Sequence, residues 1–151
     1  MAKARTFHVS DVLSISNGRL VSTRHVDGIY DILNWLTQDN LFTHQLPRAS
    51  EECRPWQLRW FPELEKANTA EANAALDAAI DESGGDDGCT AWMLLLRELY
   101  GIRESYELKP IPRDDHEHKD PYDEMVQMRG TDEGIIILDA PAPDGGEGEK
   151  A

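Results

Sequence analysis

A chain of 151 residues, 40% hydrophobic and 29% charged, has the size of one domain and the apolar content to bury a core, which excludes a collagen-like or wholly disordered polymer. No apolar run approaches the length of a membrane span, and Met1-Ala2-Lys3-Ala4-Arg5-Thr6-Phe7 has no apolar stretch behind its charges, so a cytoplasmic protein without a secretory leader is expected. The formal net charge of −14 arises beyond Lys66: residues 1–66 carry eight basic and eight acidic groups, whereas residues 67–151 carry seven basic and 21 acidic.

In chain order, Val12-Leu13-Ser14-Ile15-Ser16, Asn17-Gly18 and Arg19-Leu20-Val21-Ser22 predict a β-hairpin over residues 11–22. Leu13 and Ile15 alternate with serines, and Asn-Gly tolerates the positive φ angles of a tight turn. The alternative is a short helix capped by Ser10 or Asp11 and stopped at Asn17-Gly18. Residues 27–37 predict a helix, with Asp27 as cap and Ile29, Ile32, Leu33 and Leu36 on one face. Residues 41–48 have no clean period and read as a loop, and Pro55 opens a short helix that Pro62 ends or restarts.

Asn68-Thr69-Ala70-Glu71 places a glutamate three residues after a capping side chain. Ala72, Ala75, Leu76, Ala79 and Ile80 then form a narrow stripe whose alanines permit close helix packing, and Ser83-Gly84-Gly85 ends the helix. After Asp86-Asp87-Gly88 a second helix runs to about Tyr100, with Trp92, Leu95, Leu96 and Leu99 as its core stripe, Met93 and Leu94 widening it, and Gly101 closing it. Ser105-Tyr106-Glu107-Leu108-Lys109 alternates like an edge strand, and Asp120-Pro121 starts a short helix over 121–128. The β-branched run Gly134-Ile135-Ile136-Ile137-Leu138 reads as a buried strand, and residues 139–151 as a disordered acidic tail. The expected architecture is a single α+β domain over residues 1–138, with several helices on a small, mainly antiparallel sheet.

Four constellations bear on chemistry. Cys89 sits at a predicted helix start, where the helix dipole lowers a thiol pKa. The segment from Gly88-Cys89 to Leu99 loosely resembles the nucleophile helix of the transglutaminase and papain-like class. His116 or His118 would have to serve as base, yet both lie in a charged loop where that class uses a strand, and Asp86 and Asp87 oppose thiolate formation. The bland reading is a small buried residue, and Cys53 and Cys89 are both expected reduced. His116-Glu117-His118 has a weak metal-binding spacing, against a solvated charged loop. Arg54, Trp56, Arg59 and Trp60 interleave guanidinium and indole groups, as interface hot spots do, against core tryptophans covered by arginines. Finally, Asp77, Asp81, Asp86, Asp87, Asp114 and Asp115 supply spaced carboxylates that can imitate a row of phosphates, against an ordinary solvated face. Direct nucleic-acid binding is disfavoured without clustered Lys/Arg, and no Gly-rich phosphate loop or cofactor signature is present.

Asp11-Val12-Leu13-Ser14-Ile15, Gly18-Arg19-Leu20-Val21-Ser22, Asp27-Gly28-Ile29-Tyr30-Asp31-Ile32-Leu33 and Leu41-Phe42-Thr43-His44-Gln45-Leu46-Pro47-Arg48 resemble a family of small proteins carried by bacteriophages and prophages. The resemblance supplies no catalytic residue. It implies a protein of the host bacterial cytosol that acts by binding a host protein. With the charge asymmetry, the expected function is non-enzymatic: inhibition or modulation of a basic nucleic-acid-handling or anti-phage defence complex through a DNA-mimic face. The alternatives are a cysteine hydrolase or transferase and a self-associating structural protein.

Overall fold

The computed structural model describes residues 3–129, so the expected strand at 134–138 and the tail at 139–151 lie outside the described residues. The architecture is α+β: helices dominate and one two-stranded antiparallel sheet joins them. The described residues form two compact units, one of residues 3–41 and 46–116, the other of residues 42–45 with those from 117 onward.

In the larger unit, β1 (Arg5–His8) pairs with β2 (Ser105–Leu108), Phe7 standing opposite Tyr106. β2 alternates as expected, with Tyr106 and Leu108 buried and Ser105 and Glu107 exposed. Only Phe7 of β1 is buried, so that strand carries no readable alternation.

The expected hairpin at 11–22 is a helix instead, α1 (Val9–Ser16). The serines are the reason. Ser10 and Ser14 stand four apart on a buried helix, and the Ser14 hydroxyl donates to the Ser10 carbonyl (2.9 Å) while accepting from the Val21 amide (3.0 Å). His8, not Ser10 or Asp11, is the cap, its Nδ1 accepting from the Ser10 amide at 3.1 Å. Asn17-Gly18 ends the helix, Gly18 taking a φ of +90° that other residues resist.

α2 (Val26–Thr37) follows the predicted span and buries Ile32, Leu33 and Leu36, but His25, not Asp27, stands at its cap position, and Asp27 lies in the first turn. α3 (Leu46–Trp60) replaces the expected loop and short helix with one continuous element through Pro55. Leu46, Ala49, Cys53 and Gln57 keep one face buried along its length, and this packing outweighs the amide lost at the proline. A 3₁₀ segment (Pro62–Asn68) leads to α4 (Ala70–Ser83), capped by Thr69 rather than Asn68; the Thr69 hydroxyl accepts from the Ala72 amide at 3.0 Å. α5 (Gly85–Tyr100) begins a turn earlier than expected, taking Asp86-Asp87-Gly88 into the helix. Its core face is Cys89, Trp92, Met93 and Leu96, whereas Leu94, Leu95 and Leu99, expected inside, are exposed.

The core joins these elements through Val12, Leu13, Ile32, Leu36, Leu64, Leu76, Trp92 and Tyr106. The smaller unit contains the 3₁₀ turn Thr43–Gln45 and α6 (Pro121–Arg129). Asp120 caps α6 as expected, accepting from the Tyr122 and Asp123 amides at 3.2 Å, and Gln45 donates to the buried Glu124 carboxylate at 3.0 Å.

Candidate interaction surfaces

Residues 67–96 contain six carboxylates and no Lys, Arg or His. They build most of an antiparallel hairpin of α4 and α5, in which Gly88 meets the Ala79–Ile80 backbone and the Trp92 indole donates to the Ala72 carbonyl at 2.8 Å. The alanine stripe permits this approach, as its small side chains implied. The carboxylates cannot join the apolar seam and are left outside. Asp81, Glu82, Asp86 and Asp87 are exposed around the tip, and Asp77 stands one turn below Asp81.

Two side chains reach this set from the loop after α1. Arg19 donates to Asp77 at 2.7 Å, with the Asp77 side chain still 64% exposed, and His25 Nε2 lies 3.5 Å from Asp86, which is 78% exposed. Exposed pairs of this kind are worth under about 1 kcal/mol, so they leave the face acidic. Asp114 and Asp115 belong to another surface. They lie in the 3₁₀ turn Arg113–Asp115, and Asp115 accepts from the Trp56 indole of α3 at 3.0 Å.

That second surface holds the Arg/Trp segment. The Arg59 guanidinium lies 4.7 Å from the centre of the Trp56 ring, and Trp56 and Trp60, one turn apart, stack tilted at 5.6 Å. Both tryptophans are half-buried against the core, so the segment divides between core and surface. Arg54 turns inward, donating from Nε to the Ile15 carbonyl at 3.0 Å. Glu51, Glu52, Pro55, Trp56, Arg59 and Asp115 line an open cleft of about 370 Å3.

Glu52 also belongs to a cluster whose pairings carry no sequence signal. His116 is 7% exposed; its Nδ1 lies 2.5 Å from Glu52 and its Nε2 2.8 Å from Asp39, while Arg48 donates to the other Glu52 oxygen at 2.7 Å. The partners are 64 and 77 residues from His116 in sequence. A second cluster is a charge ladder. The buried Asp11 takes hydrogen bonds from Ser22 (2.5 Å) and Arg24 (2.6 Å), Arg24 and Arg5 both reach Asp31, and Arg5 lies over the Phe7 ring. The Asp11 hydrogen bond raises the Arg24 pKa. Burial pulls Asp31 upward, but Arg5 and Arg24 outweigh it and hold the carboxyl below its usual range.

The residues of the cysteine-enzyme reading each have charged neighbours of their own. Cys89 is the fifth residue of α5 rather than its start, and burial, helped by Asp86, pushes its thiol pKa up. Both nitrogens of His116 are engaged by carboxylates. Cys53 is fully buried, and burial raises its thiol too. Of the His116-Glu117-His118 segment, the His116 side chain is largely covered in the larger unit, and His118 is exposed in the smaller one. Among the described residues no group of three His, Cys, Asp or Glu side chains is arranged to hold a metal ion. No helix among them is long and apolar enough to cross a membrane.

The described chain is therefore an α+β protein carrying an acidic helical hairpin. Residues 7–67 match the model of a family described as a domain of unknown function, DUF7736. That match runs from β1 to the 3₁₀ segment before α4, so the acidic hairpin lies beyond it. No curated protein and no solved structure matches the chain significantly.

Proposed function

We propose that this chain is a non-enzymatic, phage-type acidic protein that binds a cationic host protein and inhibits or modulates it, the target being a nucleic-acid-handling or anti-phage defence complex. The observation that carries the reading is the α4–α5 hairpin: seven carboxylates and one basic residue, Arg97, over residues 70–100, with four of the carboxylates exposed around one rigid tip. Carboxylates fixed on packed helices present their charge without the ordering cost of a flexible chain, which favours fast, selective capture of a basic surface. A protein surface evolved to grip phosphates is such a surface.

The test is capture from a bacterial host lysate with the immobilised full chain. Wild type is compared with Asp81→Lys/Asp87→Lys and with Glu104→Lys/Glu107→Lys, which reverses exposed acids outside the hairpin. Basic proteins retained by wild type and by the second variant, and lost by the first, support the reading. Retention of the same proteins by all three refutes it.

A further inference from the structure

Acids cover only part of the hairpin. Asp87, Ala91, Leu95 and Leu99 recur every four residues along α5, and all four are exposed, Leu95 at 41% and Leu99 at 58%. Leu94 and Glu98, also four apart, run beside them and are exposed as well. Residues at this spacing share one helix face, so α5 presents an apolar ridge ending in a carboxylate at the tip and flanked by another. The core face of α5 is already supplied by Cys89, Trp92, Met93 and Leu96. The leucines on the outer face are therefore not needed for that core face and stay largely exposed among the described residues, and contiguous exposed apolar side chains rimmed by charge are a usual mark of an interface.

We infer that this ridge is the docking face for a basic amphipathic helix of the partner protein, with its apolar side on Leu94, Leu95 and Leu99 and its Lys/Arg residues on Asp87, Glu98 and the carboxylates of the hairpin tip. The inference rests on the proposed recognition of a cationic partner and adds the form that partner takes. Charge complementarity selects the occupant. A second copy of this chain would set two acidic hairpins against each other and add repulsion where it removed apolar surface, whereas a basic helix gains from both components.

The test uses the full chain and a fluorescein-labelled 18-residue peptide of leucine and lysine, with leucines on one helical face, read by fluorescence anisotropy. A scrambled peptide of the same composition is the control. The ridge predicts binding at least tenfold tighter for the amphipathic order. It also predicts at least a tenfold loss in Leu95→Ser/Leu99→Ser, which leaves net charge unchanged. Circular dichroism checks the fold of this variant, and Leu99→Gln alone gives the same reading should the double variant unfold. Full affinity in the serine variant with weakened binding in Asp81→Lys/Asp87→Lys would overturn the ridge while leaving the acidic face standing. Indifference to both variants would overturn both. Light scattering that shows a wild-type dimer, monomeric in the serine variant, would give the face to a second copy and overturn the inference.

Discussion

Replacing Gly88 by alanine tests the hairpin scaffold at its tightest point. A Cβ built at Gly88 lies 2.6 Å from the Ile80 Cα and 2.7 Å from the Ala79 carbonyl oxygen, both backbone atoms that cannot rotate away. Ordinary contact begins near 3.4 Å, so α4 and α5 must part by roughly 0.8 Å. Overpacking of this kind costs about 1–3 kcal/mol. Stretching the buried Trp92–Ala72 hydrogen bond adds about 1 kcal/mol. Alanine recovers up to about 1 kcal/mol through helix propensity and a less flexible unfolded chain. The expected net loss is about 1–3 kcal/mol. Gly85→Ala, three residues earlier in the same helix, is the internal control: nothing lies within 4 Å of its Cβ, so it should gain about 0.4–1 kcal/mol. Urea melts followed by circular dichroism read both. A Gly88→Ala protein as stable as wild type would mean that the helices do not meet there, and the rigid display of the hairpin acids would lose its basis.

Other expectations concern the buried polar groups. His116→Leu removes the imidazole that bridges Glu52 and Asp39, so thermal melts should show a loss of about 2–4 kcal/mol; no loss would contradict the cluster. Gln57 is fully buried and neither amide atom has a hydrogen-bond partner among the described residues, so Gln57→Met should stabilise by about 1 kcal/mol in urea melts, and a loss would count against that environment. Burial, reinforced by the bond its hydroxyl donates to Glu63, pushes Tyr106 up to about 12, from an unfolded value near 10. Its contribution is therefore complete below pH 10 and is lost as pH rises toward 12. Alkaline melts should show this loss, and ultraviolet titration should find one tyrosine ionising late in wild type and absent from Tyr106→Phe; an ordinary midpoint for every tyrosine would refute it.

Local patterns carried much of the fold into view and long-range partners did not. The spans of α2 and the alanine-rich α4 and the alternation of β2 follow periodicity, and the start of α6 follows its Asp120 cap, all signals that a few neighbours define. At α1 the alternating serines mimic a half-exposed strand, whereas the Ser14 hydroxyl bonds along a buried helix and across to Val21. In α3 the prolines mark breaks by the local rule, although four buried side chains keep the helix continuous. On α5 the extra leucines looked like core because a wide apolar stripe does not reveal which edge is covered. The hairpin acids were legible as charge, but Asp115 was grouped with them when its partner is Trp56. The contacts of His116 with Asp39 and Glu52 join residues far apart in sequence, and no spacing rule marks them.

The most direct measurement is the salt dependence of affinity for the partner captured on the hairpin. Recognition by exposed carboxylates predicts a dissociation constant that rises steeply and log-linearly from low to high ionic strength, with a shallower slope for Asp81→Lys/Asp87→Lys. An affinity that does not change with salt would contradict the account.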